Sequence, residues 1–172
     1  STNGNISSID RRNGRVIWTR DLSSYKNIYF DGFDIFVTHK SDSVYSLNKD
    51  SGEINWRLVD LQYRKLTSGV MLSDFFIEAD FDGFIHVIDS QSGLIVGRSQ
   101  IASGVKILDT LTVFKDKNVL GMTAEGEVLL IKFDQITQDF IEDNNLGSGE
   151  ERNLEEEEVE SVDKNDILDW IF

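Results

Sequence analysis

The sequence predicts an all-β repeat fold, a segment of β-propeller about three and a half four-stranded blades long with an acidic C-terminal tail. Three observations predict it. A motif recurs at nearly constant spacing, residues alternate with period two inside each copy, and Asp or Asn is followed by Gly at a fixed offset.

Gly4-Asn5-Ile6-Ser7-Ser8-Ile9-Asp10 aligns with Asp42-Ser43-Val44-Tyr45-Ser46-Leu47-Asn48, with Gly83-Phe84-Ile85-His86-Val87-Ile88-Asp89 and with Gly126-Glu127-Val128-Leu129-Leu130-Ile131-Lys132, at offsets of 38, 41 and 43 residues. In the first three copies a second element follows: Arg11-Arg12-Asn13-Gly14-Arg15-Val16-Ile17-Trp18, Lys49-Asp50-Ser51-Gly52-Glu53-Ile54-Asn55-Trp56, and Ser90-Gln91-Ser92-Gly93-Leu94-Ile95-Val96-Gly97. Each copy reads as a β-hairpin. The first strand alternates apolar and small residues. Asp10, Asn48 or Asp89 opens a turn by offering a side-chain oxygen to the backbone ahead, and Gly14, Gly52 or Gly93 supplies the positive φ that closes it.

Another strand pair precedes each such hairpin. Ile28-Tyr29-Phe30 turns at Asp31-Gly32 and returns as Ile35-Phe36-Val37-Thr38, and Asp-Gly between apolar runs is a strong hairpin signal. Its counterparts are Val70-Met71-Leu72 with Phe75-Phe76-Ile77-Glu78, and Leu111-Thr112-Val113-Phe114 with Val119-Leu120-Gly121-Met122. Four short strands per repeat of ~40 residues mark a propeller blade. A β-sandwich, the competing all-β fold, does not require one motif at nearly constant spacing.

The segments from Ser8 to Trp18 and from Ser46 to Trp56 resemble the PQQ-repeat pattern of a small residue, Asp, Thr/Ser-Gly and Trp. That resemblance implies that Trp18 and Trp56 dock between neighbouring blades, where a large ring with one N–H buries area and is still satisfied. Asn13 stands in place of the hydroxyl residue and Asn48 in place of Asp. Gly97 replaces the third Trp, so that boundary is expected to be less tightly locked. Over residues 1–133 the order of features is similar to the BamB family. It runs from Gly-Asn-x-x-x-x-Asp through Gly-x-x-x-Trp twice and Leu66-Thr67-Ser68 to Asp82-Gly83-Phe84-Ile85-His86 and Gly126-Glu127-Val128. The resemblance implies the C-terminal blades of an eight-bladed, lipid-anchored periplasmic propeller. It implies a non-catalytic scaffold subunit of the outer-membrane β-barrel assembly machinery, docked on the POTRA domains of the barrel subunit at the inner face of the outer membrane and assisting insertion. The family's docking loops lie in blades upstream of Ser1, so no partner-binding residue is carried over.

Charge divides the chain in two. Residues 1–133 hold 17 acidic and 15 basic groups, a net of −2, whereas residues 134–172 hold 14 and 2, a net of −12. Neither part has the basic footprint that phosphate binding needs, so nucleic acid is not an expected partner. Cysteine is absent, which excludes disulfides and thiolate chemistry. No stretch approaches the ~20 apolar residues of a membrane helix. The chain opens at Ser1 without a leader pattern, as if inside a repeat.

Three segments are expected: propeller blades over 1–133, a short helix and Gly-Ser hinge over 134–149, and a glutamate-rich disordered tail over 150–172. The tail ends in apolar residues, of which Leu168, Trp170 and Phe172 form a candidate linear motif. Its other readings are a solvated extension, or a segment folded back on the propeller edge.

Chemistry finds little to use. His39 and His86 lie 47 residues apart in different blades and read as ordinary strand residues, not as a metal or acid–base pair. Asp80-Phe81-Asp82-Gly83 lacks the later ligands of a Ca²⁺ loop and reads as a turn. Arg57, Arg64 and Lys65 around Tyr63 read as surface charge. No catalytic residue, cofactor, metal or small-molecule substrate is expected. The alternatives are a fragment of a PQQ-dependent dehydrogenase propeller, which would need Ca²⁺ and quinone ligands not seen here, or a general protein-interaction propeller.

Overall fold

The computed structural model describes residues 4–101, 105–108, 111–115, 117–133 and the backbone of 160–161. It is all-β there, with every strand paired antiparallel to its neighbour in sequence. The first sheet has two strands, β1 (Asn5–Ile9) and β2 (Val16–Asp21). The second has four: β3 (Tyr29–Phe30), β4 (Asp34–Thr38), β5 (Val44–Asn48) and β6 (Ile54–Leu58). So does the third, with β7 (Val70–Leu72), β8 (Phe75–Ala79), β9 (Phe84–Asp89) and β10 (Ile95–Gln100). The last sheet holds β11 (Thr112–Phe114), β12 (Asn118–Met122) and β13 (Val128–Lys132), and β14 (Glu160–Ser161) joins its outer edge. The incomplete sheet of the three and a half blades is therefore the first, built of two outer strands. The helix expected within 134–149, the remainder of the acidic tail, and Leu168, Trp170 and Phe172 lie outside the described residues.

Period-two alternation explains why the sheets stack. On β4, Phe36 faces the third sheet and Val37 faces the first, so one strand supplies two cores. Three apolar clusters occupy the three sheet–sheet boundaries. Ile6, Trp18 and Leu22 meet Val37, Tyr45 and Leu47 at the first. Phe36, Val44 and Leu58 meet Phe76 and Ile88 at the second, where the rings of Phe36 and Phe76 stack at 5.0 Å. Ile77, Val87 and Val96 meet Ile107, Leu111, Val119 and Leu129 at the third. Central strands covered on both faces leave no residue in water, and all five residues of β8 are buried.

One irregularity repeats. The outer hairpins slip register at Ser8/Ile9, at Ser46/Leu47 and between Ile95 and Gly97. The unpaired extra residues are Ile17, Asn55 and Val96, each directly before the Trp18, Trp56 or Gly97 position. A β-bulge bends and re-aims the strand that carries it, and here it sets the direction of the two indoles.

Candidate functional site: blade junctions and a buried acid–histidine cluster

The turn residues behave alike in three sheets. Asp10 Oδ1 accepts the Arg12 amide at 2.8 Å, Asn48 Oδ1 accepts those of Asp50 and Ser51 at 2.9 and 3.0 Å, and Asp89 Oδ1 accepts that of Ser92 at 2.7 Å. Gly14, Gly52 and Gly93 have φ of 72, 69 and 72°, where a Cβ would crowd the following carbonyl. Their amides close the turns onto the carbonyls of Asp10, Asn48 and Asp89.

The turns of the second and third sheets are also seats for an indole. Trp18 lies flat on Gly52, so close that a Cβ there would fall 2.5 Å from the ring, and its Nε1–H donates to Lys49 O at 2.9 Å. Arg20 Nε donates to Gly52 O beside it. Trp56 repeats the arrangement on Gly93, with a Cβ distance of 2.5 Å and its Nε1–H on Ser90 O at 2.8 Å. Glycine is required twice over at these positions, for the turn and for the ring. Gly97 offers no indole to the last sheet, and among the described residues an apolar cluster fills the third boundary.

Sequence reasoning passed over a polar cluster at the second boundary. Glu78 on β8 and His86 on β9 are register partners, share one sheet face, and are both fully buried. Thr38 at the end of β4 donates its hydroxyl to Glu78 Oε1 across the boundary. Burial pushes the Glu78 carboxyl up to about 8, against the Thr38 hydrogen bond and with help from nearby Asp42, while Lys26 opposes. Glu78 is therefore protonated at neutral pH. His86 Nε2 lies 3.0 Å from Asp80 Oδ2. Desolvation lowers the His86 pKa, Asp80 works the other way, and Arg98 and Arg64 reinforce the fall. Burial alone would raise Asp80. The hydrogen bonds from His86, the Phe84 amide and Arg64 nevertheless hold it at about 2. Arg64 Nε sits 2.5 Å from the same carboxylate oxygen. An ionised Asp80 accepts only, so neutral His86 carries its proton on Nε2 and leaves Nδ1 as an acceptor. Glu78 Oε2 and His86 Nδ1 have no partner among the described residues.

His86 is thus no ordinary strand residue, and Asp80 does more than form a turn. The signals were faint: a carboxylate in the otherwise apolar Phe75-Phe76-Ile77-Glu78-Ala79 run, and a histidine one strand later. The three cations near Tyr63 separate. Arg57 lies over the Tyr45 ring at 5.4 Å, Arg64 turns to Asp80, and Lys65 sits 4.3 Å from the Phe81 ring. Tyr63 itself is exposed. No group of three or more His, Cys, Asp or Glu side chains is placed to hold a metal among the described residues.

Comparison with known proteins places this geometry. The family profile described as outer membrane protein assembly factor BamB matches residues 1–58. The chain is similar to the assembly factor BamB of Shewanella oneidensis, at 38% identity over 60% of this chain and 26% of that protein. It is similar to that of Escherichia coli at 31% identity over 75% of this chain and 32% of that protein. The crystal structure of BamB from Moraxella catarrhalis superposes with a TM-score of 0.69 at 27% identity, covering 77% of this chain and 38% of that one. The chain thus spans between a quarter and a third of the curated relatives it matches.

Proposed function

From the premise that this chain belongs to the BamB family, we propose that it is part of a non-catalytic scaffold subunit of the outer-membrane β-barrel assembly machinery. In this reading the whole protein resides in the periplasm at the inner face of the outer membrane. It binds the periplasmic POTRA region of the barrel subunit and assists insertion of barrel proteins. The observation that carries the reading is the similarity to proteins named as assembly factors over three-quarters of the chain. Residues 1–133 contribute blades, Trp18 and Trp56 lock them together, and Glu160–Ser161 of the acidic segment adds an outer strand to the last sheet.

The physical logic is that of a platform. Sheets buried on both faces and pinned by side chains hold their connecting turns in fixed relative positions, so a partner meets a surface that costs little ordering entropy to bind. Recognition then runs through edge loops, or through strand addition at an exposed sheet edge.

The test is co-purification of the full-length protein containing these blades with a POTRA-bearing barrel subunit. Retention of the subunit is expected. Failure to associate at any salt concentration refutes the assignment of partner.

A further inference from the structure

Glu78 and His86 stand opposite each other on β8 and β9, on the face turned to the second sheet that also carries Phe76 and Ile88. Both side chains are completely buried. The second and third sheets, which enclose them, are each flanked on their other face by a further sheet of this chain. The couple is therefore sealed by described residues alone.

Each side chain is clamped at one atom and unpaired at the other. Thr38 fixes Glu78 Oε1 from the second sheet. Asp80 Oδ2 fixes His86 Nε2 at 3.0 Å. Asp80 is held in turn by Arg64 Nε at 2.5 Å and by the amides of Asp82 and Phe84 at 2.9 and 3.0 Å, so the imidazole is anchored to a rigid support. Glu78 Oε2 and His86 Nδ1 are left without a partner among the described residues.

The two leftover atoms are complementary. Burial keeps the Glu78 carboxyl protonated, and with Oε1 accepting from Thr38 the proton makes Oε2 a donor. His86 Nδ1 is an acceptor, because Nε2 carries the ring proton toward Asp80. A donor and an acceptor both stripped of water and both unmade are what native interiors avoid. Direct contact between them requires one of the two clamps to open. A bridge requires neither.

We propose that Glu78 Oε2 and His86 Nδ1 together bind one internal water molecule, which accepts from Glu78 and donates to His86. A polar site with two partners meets the need of a buried water. The hydrogen bonds then run from Thr38 through Glu78, the water and His86 to Asp80, with every donor pointing toward the same carboxylate, an order in which each bond polarises the next. The line joins the second sheet to the third through polar groups in a boundary otherwise filled by apolar ones. A metal ion fits worse, since no group of three or more His, Cys, Asp or Glu side chains is placed to hold one among the described residues.

The experiment is water-selective NOE and ROE spectroscopy on the full chain with labelled histidine, read at His86 Hε1, the ring proton next to Nδ1. His39→Gln assigns the two histidine signals. The expected result is a cross-peak at the water frequency in the unaltered chain, retained in Glu78→Gln, whose amide still donates, and lost in Glu78→Met. Glu78→Leu replaces Glu78→Met where the latter does not fold. Absence of the cross-peak from the unaltered chain overturns the proposal. Loss in Glu78→Gln also overturns it, because the proton observed was then that of Glu78 itself, lying directly on Nδ1. A cross-peak that persists in the folded apolar variant comes from another source, the exchanging Nε2–H included, and overturns the role of Glu78.

Discussion

Replacing Glu78 with glutamine keeps the shape of the side chain and an oxygen for the Thr38 hydroxyl, and removes only the titration. In the folded protein the Glu78 carboxyl holds its proton up to about 8, against an ordinary value of 4.5. Below pH 4.5 both folded and unfolded chains are protonated there, and stability is at its maximum with respect to this group. Between 4.5 and about 8 the unfolded chain has released the proton and the folded chain has not, so each pH unit lowers stability. Above about 8 the loss is complete. At about 1.36 kcal/mol per unit, the gap from 4.5 to about 8 corresponds to roughly 4–5 kcal/mol, a large share of the ~5–15 kcal/mol that a domain has in total. Urea unfolding followed by tryptophan fluorescence at half-unit steps from pH 5 to 9 measures it. Groups shared by both proteins, His86 among them, cancel in the difference. The unaltered protein should lose roughly 4 kcal/mol more than Glu78→Gln between pH 5 and 8.5. Parallel curves would refute the assignment of a buried, protonated Glu78.

Other consequences are equally direct. Gly52→Ala places a methyl group in the Trp18 ring and adds left-handed strain, and should cost ~3 kcal/mol or more. Gly14→Ala meets only the strain, ~1–2 kcal/mol; equal urea midpoints for the two variants would contradict the seat geometry. Asp80→Asn leaves Arg64 and His86 without their shared anion and should cost ~3–5 kcal/mol, read from the same midpoints. Because burial lowers the His86 pKa in the folded state, the unfolded chain takes up a proton first as pH falls below 6.5. Stability should therefore decline on acidification from that point, and His86→Gln should flatten the decline. Histidine proton NMR of the folded protein should show the His86 ring titrating below the ordinary imidazole range.

Much of the fold was legible because the repeat is local. Strand, turn and glycine recur within some twenty residues, and the turn chemistry of Asp10, Asn48 and Asp89 is determined by neighbours two and three positions away. Hairpin edges were placed to within a residue or two for the same reason. The bulge before each Trp position was invisible, since an extra residue in one strand shows only against its partner.

The sequence by itself determined the blade unit, the positions where only glycine serves, and the division of charge between a nearly neutral body and an acidic tail, since each depends on composition or on contacts near in the chain. The tertiary structure alone decided what faces what across a boundary. Trp18 meets Gly52 34 residues later, and Thr38 reaches Glu78 40 residues on. Glu78 and His86 looked like unremarkable members of strands until stacking sealed them from water. Their protonation is fixed by burial, a property that no stretch of sequence possesses until the next sheet has closed over it.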